Sequence, residues 1–530
     1  MRSTSKLLAL LLAVTATFAC PAARAQDTPG RVVLVLPFDN RSGNASLNWI
    51  GDSFPDTLDQ RLNSAGFLTI SHDDRAFAFD HLGLPEGFRP SRATTILIAQ
   101  QLDADYVVVG SYNVADNKIS VQAQVLSVKA LHLSAPLEDA ADLPRLFDAE
   151  NAIAWKIARQ MDPHFSIAEQ TFLASPGGVP LPSFENYIRG TNAPTSEERI
   201  KRLQAAVADT PTYAAALLAL GKEQYAAHDY PAAAATLAKV PKSNRIALEA
   251  NFYLGLAHFN SAEYDKAEAA FAFVAAQLPL PEVVNDEAVA ASRQGKDAAA
   301  IFQRASTADP SDEDYHYNLA ISLFRRGDTA GAIREADAAV KLKSNDNEAI
   351  QLRAHLGQVP AGTKLAPDAD SGFSPVERII RTYSEASFRQ AAFQIDQMRA
   401  VTMSTLPAAE QVKQYTQLGR DYLAQGLLPE AERQFHSALA ADPNAAAPHA
   451  GLAQVREQSG STRDARAEAH TSIDAQPNAA AYLVLARLDL AANNLAACAD
   501  DVSHALQLEP RNTAAKALRS TLQARGQSVP

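Results

Sequence analysis

The sequence predicts an α+β multidomain protein in which a small α/β domain precedes an all-α solenoid of two blocks. Three observations lead to this fold class. Apolar runs rich in β-branched residues alternate with amphipathic helical patterns over residues 31–165. A Pro- and Gly-rich stretch follows within residues 166–183. From residue 184 onward the pattern becomes one of helix pairs that recur about every 34 residues.

The composition limits the functions open to the chain. At 530 residues the protein is too long for one compact domain, and its mean hydropathy of −0.16 excludes a polytopic membrane protein. A net charge of −12 disfavours binding to nucleic acid and to anionic lipid, because both depend on an excess of Lys and Arg. We therefore expect protein or peptide partners, no nucleic acid and no transmembrane segment.

Residues 1–25 have the features of a signal peptide. Arg2 and Lys6 give a positive start, and the apolar stretch Leu7–Phe18 is too short to span a bilayer. Ala23-Arg24-Ala25 then fits the small-x-small cleavage pattern. The sequence thus predicts export to the periplasm, and loss of three positive charges would lower the net charge from −12 to −15.

Cysteine usage bears on membrane anchoring and on stability. Cys20 follows Thr17-Phe18-Ala19, which loosely resembles a lipoprotein acylation site, so a lipid anchor is an alternative to a soluble periplasmic protein. Such sites usually carry Leu where Thr17 stands, which favours cleavage after Ala25. Cys498 is then the only cysteine left, so the fold depends on packing without an internal disulfide.

Residues 31–165 have the order βαβαββα, which predicts a small sheet covered by helices. The predicted elements are strand Val32–Phe38, a helix from about Asp52 that Gly66 ends, strand Phe67–Ile70, helix Ala93–Leu102, strands Tyr106–Gly110 and Ile119–Val128, and helix Leu143–Met161. Strict apolar alternation from Ile119 to Val125 predicts that this strand has one solvated face.

A family resemblance is carried by two stretches of this region. They are VLVLPFDNRSGNASLNWIGDSFPDTLDQRL at residues 33–62 and LDADYVVVGSYNVADNKISVQAQVLSV at residues 102–128. Both resemble the TolB amino-terminal domain-like family. The resemblance implies an α/β binding or assembly domain, often found in envelope proteins and joined to repeats or propellers. This chain departs from TolB itself, because helical repeats follow in place of a β-propeller.

The repeat pattern is clearest in residues 412–445, beyond the linker-like stretch Ser175–Pro182. Its first helix carries Tyr415, Leu418-Gly419 and Tyr422, its second helix carries Ala431, Phe435 and Ala438, and Pro443 ends the unit. Gly419 and Ala431 are expected to be small because the two helices cross closely there, while Tyr422 and Phe435 fill the adjacent space.

This pattern resembles the tetratricopeptide repeat (TPR) family over most of residues 184–525. Pro443 and Pro477 are 34 residues apart, and Pro477 and Pro510 are 33 apart. The residues assigned to the pattern are Gly255, Ala267, Phe271 and Pro279 in the first block, and Gly419, Tyr422, Ala431, Phe435, Pro443, Ala465, Pro477, Cys498 and Pro510 in the second. The family implies a helical scaffold that binds proteins.

The repeat register breaks once, which predicts two TPR blocks. They span residues 184–355 and 409–525 and are separated by an irregular helical insertion at 356–408. A Thr195-x-x-Glu198 capping box indicates a degenerate first repeat. Residues 513–525 are predicted to form a capping helix, because the last repeat would otherwise expose an apolar face.

The sequence contains no short motif for catalysis, cofactor binding or metal binding, so no residue is assigned to these roles. His72-Asp73-Asp74 could ligate a metal, but it follows a predicted strand and is interpreted as a turn. The loop Arg41–Asn44 could bind an anion, although loops at strand ends commonly have this composition. Cys498 occupies a small crossing position, which predicts a buried structural thiol. We expect a protein that is not an enzyme.

The resemblance to TPR proteins also places a ligand groove on the first helices of the pairs. Carried onto this sequence, the family's ligand-contacting positions are Tyr225, Phe252, Phe259, Tyr317 and Phe324 in the first block, and Lys413, Arg420, Gln454 and Arg487 in the second. The aromatic set would suit an extended or helical peptide, and the basic set would suit acidic side chains. The alternative is that the aromatic residues pack between helices. The Lys/Asn set that clamps C-terminal carboxylates in chaperone-binding members is not reproduced.

These observations lead to the hypothesis of a non-catalytic adaptor of the bacterial envelope. The α/β domain would dock to one component, and the TPR groove would hold a protein or peptide. Two alternatives stay open: a hydrolase-like enzyme with an unrecognised site in residues 31–162, and a self-associating component of an envelope complex.

Overall fold

The computed structural model describes residues 32–84, 91–174, 179–244, 246–365, 373–382 and 385–529. It contains an N-terminal mixed sheet with helices, followed by stacked helix pairs, and this confirms the predicted fold class. The predicted signal peptide and Cys20 lie outside the described residues. None of the helices that are described is both long enough and apolar enough to cross a membrane.

The sheet is mixed, and its strands are β1 Val32–Val35, β2 Asp39–Asn40, β3 Leu68–Thr69, β4 Tyr106–Ala115, β5 Lys118–Ser127, β6 His132–Leu133 and β7 Leu137–Asp142. Strand β1 lies between β3 and β4 and is parallel to both, and β2 is also parallel to β4. Strand β5 is antiparallel to β4, β6 and β7. The β4–β5 hairpin turns at Asp116 and Asn117, whose φ angles of 50° and 59° are those a tight hairpin requires.

Helices cover both faces of this sheet. They are α1 Trp49–Ser64, α2 His72–His81, α3 Arg92–Gln101 and α4 Leu146–Met161, and α5 Glu169–Leu173 follows them. Alternate residues of β1 point to opposite faces: Val33 and Val35 pack with α1 and α4, whereas Leu34 packs with α3, as does Leu36 just after the strand. The uninterrupted apolar sequence of β1 is explained by this burial on both sides.

The structure differs from the predicted elements in several places, and it adds the two-residue strands β2 and β6. His72-Asp73-Asp74 does not form a turn but begins α2, where the Ser71 side chain accepts a hydrogen bond from Asp74 N at 3.0 Å. Strand β4 continues past Gly110 as one arm of the hairpin. Strand β7 was not predicted, because its Asp and Ala residues have low strand propensity. Such residues are tolerated there because β7 is an edge strand.

A buried carboxyl group joins α1 to α4. Glu150 accepts hydrogen bonds from Ser53 Oγ at 2.6 Å and from Thr57 Oγ1 at 2.8 Å. Burial raises the pKa of Glu150 to about 7; the two hydroxyl groups partly oppose this rise, and the nearby charge of Asp56 adds to it. Glu150 is fully buried, so this perturbed carboxyl lies inside the core and not in an open cleft.

The solenoid consists of antiparallel helix pairs. The first block contains α6 Leu181–Thr191, α7 Ser196–Asp209, α8 Ala214–Ala226, α9 Tyr230–Leu237, α10 Ala247–Asn260, α11 Tyr264–Gln277, α12 Pro281–Arg293, α13 Ala299–Ala308, α14 Glu313–Arg326, α15 Thr329–Leu342 and α16 Asn347–Leu356. Next come an extended stretch at 373–382 and α17 Glu385–Ser404. The second block contains α18 Ala408–Ala424, α19 Leu428–Ala441, α20 Ala446–Gln458, α21 Thr462–Ala475, α22 Ala479–Ala491, α23 Leu495–Leu508 and α24 Thr513–Ala524.

The residues of the repeat pattern lie at matching places in the pairs. Pro279, Pro443 and Pro477 each lie between one pair and the next, and Pro510 lies between the last pair and the single helix α24. Ala267, Ala431, Ala465 and Cys498 are fully buried on second helices. Thr195 caps α7 and accepts a hydrogen bond from Glu198 N at 3.3 Å.

Glycines permit the close crossing of helices. A Cβ atom added to Gly419 on α18 would lie 2.6 Å from the Phe435 ring, and one added to Gly451 on α20 would lie 2.3 Å from it. Phe435 therefore fills a slot between the first helices of two successive pairs. In the first block, a Cβ added to Gly255 would lie 2.7 Å from the Phe271 ring.

The hydrophobic core continues across the predicted linker 166–183. Phe184 on α6 packs against Phe147 of α4, with ring centroids 4.7 Å apart, and Tyr187 donates a hydrogen bond to Asp56 Oδ1 at 2.8 Å. Leu203 of α7 belongs to the same apolar cluster as the sheet. The α/β domain and the start of the first block thus share one core.

Part of the predicted linker also binds the second block. Residues 169–173 form α5, and Arg456 of α20 donates a hydrogen bond to Thr171 Oγ1 at 2.6 Å. Arg456 also donates to both carboxylate oxygens of Glu432, at 2.8 and 2.7 Å, and Glu432 accepts a hydrogen bond from Ala168 N at 2.9 Å. Both blocks therefore begin in contact with the α/β domain and the residues that follow it.

We predict that Gly451→Ala destabilises the second block. The added methyl group would overlap the Phe435 ring, and such overpacking costs ~1–3 kcal/mol, against ~1 kcal/mol gained from the better helix propensity of Ala. Chemical denaturation followed by circular dichroism measures the free energy of unfolding. The cost should shrink in a Phe435→Leu background, because the ring is then absent. Gly357→Ala is the control, since its nearest neighbour is the flexible end of Arg353. A Gly451→Ala variant as stable as the wild type would contradict the close crossing.

Candidate protein-binding site

The first block has a groove that is occupied by the chain itself. The groove is the surface formed by α10, α12, α14 and α16, the first helices of successive pairs and the helix that follows them. Residues 373–382, the groove segment, are extended and contain neither helix nor strand. This segment contacts side chains from several of these helices.

Two buried Asn side chains hold the main chain of the groove segment. Asn318 on α14 accepts a hydrogen bond from Arg378 N at 2.7 Å, and its Nδ2 donates to Arg378 O, also at 2.7 Å. Asn285 on α12 donates to the same carbonyl at 3.1 Å and accepts from Asn318 Nδ2 at 2.8 Å. Further along, Asp286 Oδ1 accepts from Ile380 N at 2.9 Å.

These contacts recognise peptide groups and not side chains. An Asn amide carries a donor and an acceptor in one plane, so it can bond the N–H and C=O of a single residue in an extended chain. Asn285 and Asn318 are fully buried, and an unmade hydrogen bond at such a group costs ~1–3 kcal/mol. Burial raises the pKa of Asp286 well above its ordinary value, and the hydrogen bonds from Ile380 and Asn285 partly oppose this rise.

The Glu377 side chain enters a basic pocket between α12 and α14. Its Oε1 atom accepts hydrogen bonds from Ser292 Oγ at 2.5 Å and from Arg325 Nη1. Arg293 donates to the Glu377 carbonyl at 3.2 Å, and its Nε lies 3.8 Å from Glu377 Oε2. The Glu377 side chain is fully buried, which for a carboxylate requires charges of opposite sign around it.

The Arg378 side chain enters an acidic pocket on the neighbouring helices. Its guanidinium donates to Asp314 Oδ1 at 2.6 Å, to both oxygens of Asp346 at 2.6 and 2.8 Å, and to Glu348 Oε2 at 2.7 Å. The guanidinium carbon lies 4.0 Å from the centre of the Tyr317 ring. The hydrogen bond from Arg378 is the main cause that holds the pKa of Asp346 below its ordinary value.

Apolar contacts complete the site. Ile379 and Ile380 pack against the core of the first block, which includes Phe252 and Leu256 of α10. Phe388 of α17 packs on Phe252, with ring centroids 6.3 Å apart. The insertion therefore covers the groove with the extended segment and with the helix that follows it.

The aromatic residues predicted to line an open groove are covered. Phe252, Tyr317 and Phe324 are buried, because the insertion lies over this surface and Phe252 also packs on Phe271 with ring centroids 5.9 Å apart. Of the three, Tyr317 contacts the groove segment through Arg378. The burial of Phe252 and Phe324 agrees with the alternative in which these aromatic residues pack between helices, and their role as ligand contacts stays a prediction. Tyr225 and Phe259 are half-buried beside the same apolar cluster.

The four predicted residues of the second block form no comparable pocket. Lys413 and Arg420 are exposed, Gln454 is half-buried, and Lys413 lies 3.7 Å from Glu410. Arg487 is bound to both carboxylate oxygens of Glu457, at 2.6 and 2.5 Å. Neighbouring carboxylates thus accompany two of the positive charges that were expected to bind an acidic ligand.

The polar residues that hold the segment were not predicted from the sequence. Asn285 and Asn318 are 33 residues apart, as are Ser292 and Arg325, and this spacing matches the repeat period. Recurrent polar residues on first helices are the signal that identifies them. None of these four residues is aromatic, and none is among the residues assigned to ligand contact from the family resemblance.

The other candidate sites are occupied by local contacts. Cys498 is buried among α22, α23 and α24, and this burial raises the pKa of its thiol. In the loop Arg41–Asn44, Asn44 Oδ1 accepts a hydrogen bond from Ser46 N at 3.0 Å. In the part of the chain that the structure describes, no group of three or more His, Cys, Asp or Glu residues is placed to hold a metal ion.

Comparison with known proteins agrees with the helical architecture. Residues 218–279, 286–347 and 416–468 match the family model of the tetratricopeptide repeat. No curated protein matches the sequence significantly.

Solved structures with some likeness include three of different kinds. The C-terminal domain of LpoB from Salmonella enterica is 24% identical over 22% of this chain and 87% of that chain, with a TM-score of 0.19. MamA from Desulfovibrio magneticus RS-1 is 18% identical over 32% and 99%, with a TM-score of 0.30. YrrB, described as a TPR protein with an unusual peptide-binding site, is 14% identical over 39% and 98%, with a TM-score of 0.29.

We predict that Asn318→Ala releases the groove segment. The substitution removes the hydrogen bonds to Arg378 N, to Arg378 O and to Asn285. Losing ~1–3 kcal/mol of contact would raise the population of the released segment about fivefold or more. Limited trypsin digestion with mass spectrometry should show faster cleavage after Arg378. Asn444→Ala, on an exposed turn of the second block, is the matched control. Equal cleavage rates in the wild type and Asn318→Ala would show that the amide does not hold the segment.

Proposed function

The chain contains tetratricopeptide repeats, and on this premise we propose that it is a protein-binding scaffold whose first-block groove holds an extended segment of a partner protein. One observation carries the proposal. The Asn318 amide pairs with both the N–H and the C=O of Arg378, as it would with any chain in the same extended conformation. This mode of recognition gives affinity through the main chain, while pockets on either side select the side chains.

A peptide tests this function on the full-length chain. The double variant Glu377→Ala, Arg378→Ala removes both charged anchors of the groove segment, so the groove should open more often. The peptide SPVERIIRT, which has the sequence of residues 374–382, should bind this variant with saturable one-to-one stoichiometry in isothermal titration calorimetry.

A third substitution, placed in the groove, tests whether the main-chain contacts hold the peptide. Binding should fall about fivefold or more when Asn318→Ala is added, because the main-chain contacts are lost. Binding should persist when Asn444→Ala is added to the double variant instead. Absence of peptide binding in a folded double variant would overturn the proposed function.

We further propose that the scaffold acts in the bacterial envelope as a non-catalytic adaptor. Its charged start, its apolar stretch and Ala23-Arg24-Ala25 support export, and the sequence resemblance of residues 31–162 supports a TolB-like domain that docks to an envelope component. The shared core of this domain and α6 would keep the docking surface fixed relative to the groove.

Fractionation of cells that express the full-length chain tests the location. We expect the protein in the periplasmic fraction with Gln26 as its first residue, and we expect Cys20→Ser to change neither result. Membrane attachment that disappears in the Cys20→Ser variant would instead establish the lipid-anchored alternative. A protein that keeps residues 1–25 and stays in the cytoplasmic fraction would contradict export.

A further inference from the structure

The groove presents two pockets of opposite charge to two adjacent residues. Arg325, with Arg293 close by, binds the carboxylate of Glu377. Asp314 and Asp346, together with Glu348, bind the guanidinium of Arg378. Adjacent side chains of an extended chain point in opposite directions, so each pocket reads one position. A chain in the same register with these charges exchanged would place like charges in both pockets.

The next two positions are selected by size and polarity. Ile379 and Ile380 pack against apolar clusters of the first block. A polar or charged residue there would lose this burial and would leave a polar group without a partner. The groove is therefore complementary to the order acidic, Arg, aliphatic, aliphatic.

The groove segment is held to the repeats by these side-chain and main-chain contacts and not by regular secondary structure. It forms no ladder with a strand and no helix, so its departure would break no regular secondary structure in the repeats. Val376 is 51% exposed, and Arg381 and Thr382 are exposed, so the segment is open to solvent along part of its length. The helices that bind it are paired with their own neighbours across the solenoid.

We infer that the groove segment is an internal competitor of the partner, and that the partner carries an extended Glu-Arg-aliphatic-aliphatic sequence that displaces it. This inference rests on the proposed function and adds the chemistry of the ligand and its regulation. The charges of the two pockets define the partner, and the bound segment shows the conformation that it takes.

The strength of the competition depends on the tether that joins the segment to the repeats. A segment tethered close to its own groove acts at an effective concentration on the order of millimolar. A partner of similar sequence must therefore bring additional contacts or a high local concentration to displace it. The groove would stay closed to weak, unrelated peptides and would open to a partner that docks elsewhere on the chain first.

The test compares two peptides and two forms of the full-length chain by fluorescence anisotropy. The peptide SPVERIIRT should bind the Glu377→Ala, Arg378→Ala variant at least about tenfold more tightly than the wild type, whose groove is occupied. The transposed peptide SPVREIIRT should bind the same variant at least about tenfold more weakly than SPVERIIRT, because both charges are misplaced. Adding Arg325→Ala should weaken SPVERIIRT but leave the binding of SPVARIIRT unchanged.

The outcomes separate this inference from the function on which it rests. Equal binding of SPVERIIRT and SPVREIIRT would overturn the sequence preference, and equal binding to the wild type and the variant would overturn the competition; in both cases peptide binding itself would stand. No binding of either peptide would overturn the proposed function as well. If the double variant unfolds, titration of the wild type with SPVERIIRT to millimolar concentration, with release of the segment followed by trypsin cleavage after Arg378, gives the same comparison.

Discussion

A helix pair in this solenoid cannot bury its apolar face alone, and this constraint organises the whole chain. Each pair must pack on a neighbour, and each free end of a stack must be covered. The first block meets the constraint by sharing a core with the α/β domain, in which Phe184 and Leu203 lie in the same cluster as the sheet. The second block begins against α5 and ends at α24, where Leu522 is buried against Cys498 and its neighbours.

The elements with a strong local pattern were predictable from the sequence. Strand β1 is buried on both faces and is apolar without interruption, and the repeat shows its small crossing residues and its prolines at a fixed period. Elements that depend on distant partners were not. Helix α5 has only five residues and depends on Arg456 and Glu432, which lie more than two hundred residues further along the chain. Strand β7 depends on pairing with β5, and its own composition gives no indication of a strand.

The candidate site, too, was predictable from the sequence only in part. The sequence predicted ligand positions on the first helices of both blocks, and one of these residues, Tyr317, contacts the groove segment. It did not reveal that residues 373–382 fill this surface, because an extended segment without periodicity has no signature of its own. The occupant is recognised through Asn285, Asn318 and a set of charged residues. Because the segment occupies this surface, the aromatic residues are buried and the polar residues contact the segment.

Helix α5 has a mechanical consequence. The curvature and twist of a solenoid are set by small rotations between neighbouring repeats, so small changes at each interface add up along its length. Here the starts of both blocks contact the α/β domain and the residues that follow it, the first through the shared core and the second through the contact of Arg456 with Thr171 and Glu432. We expect these two attachments to limit extension of the span between them, which contains the groove. Loosening of the attachment at α5 would soften this span and alter the width of the groove from a distance.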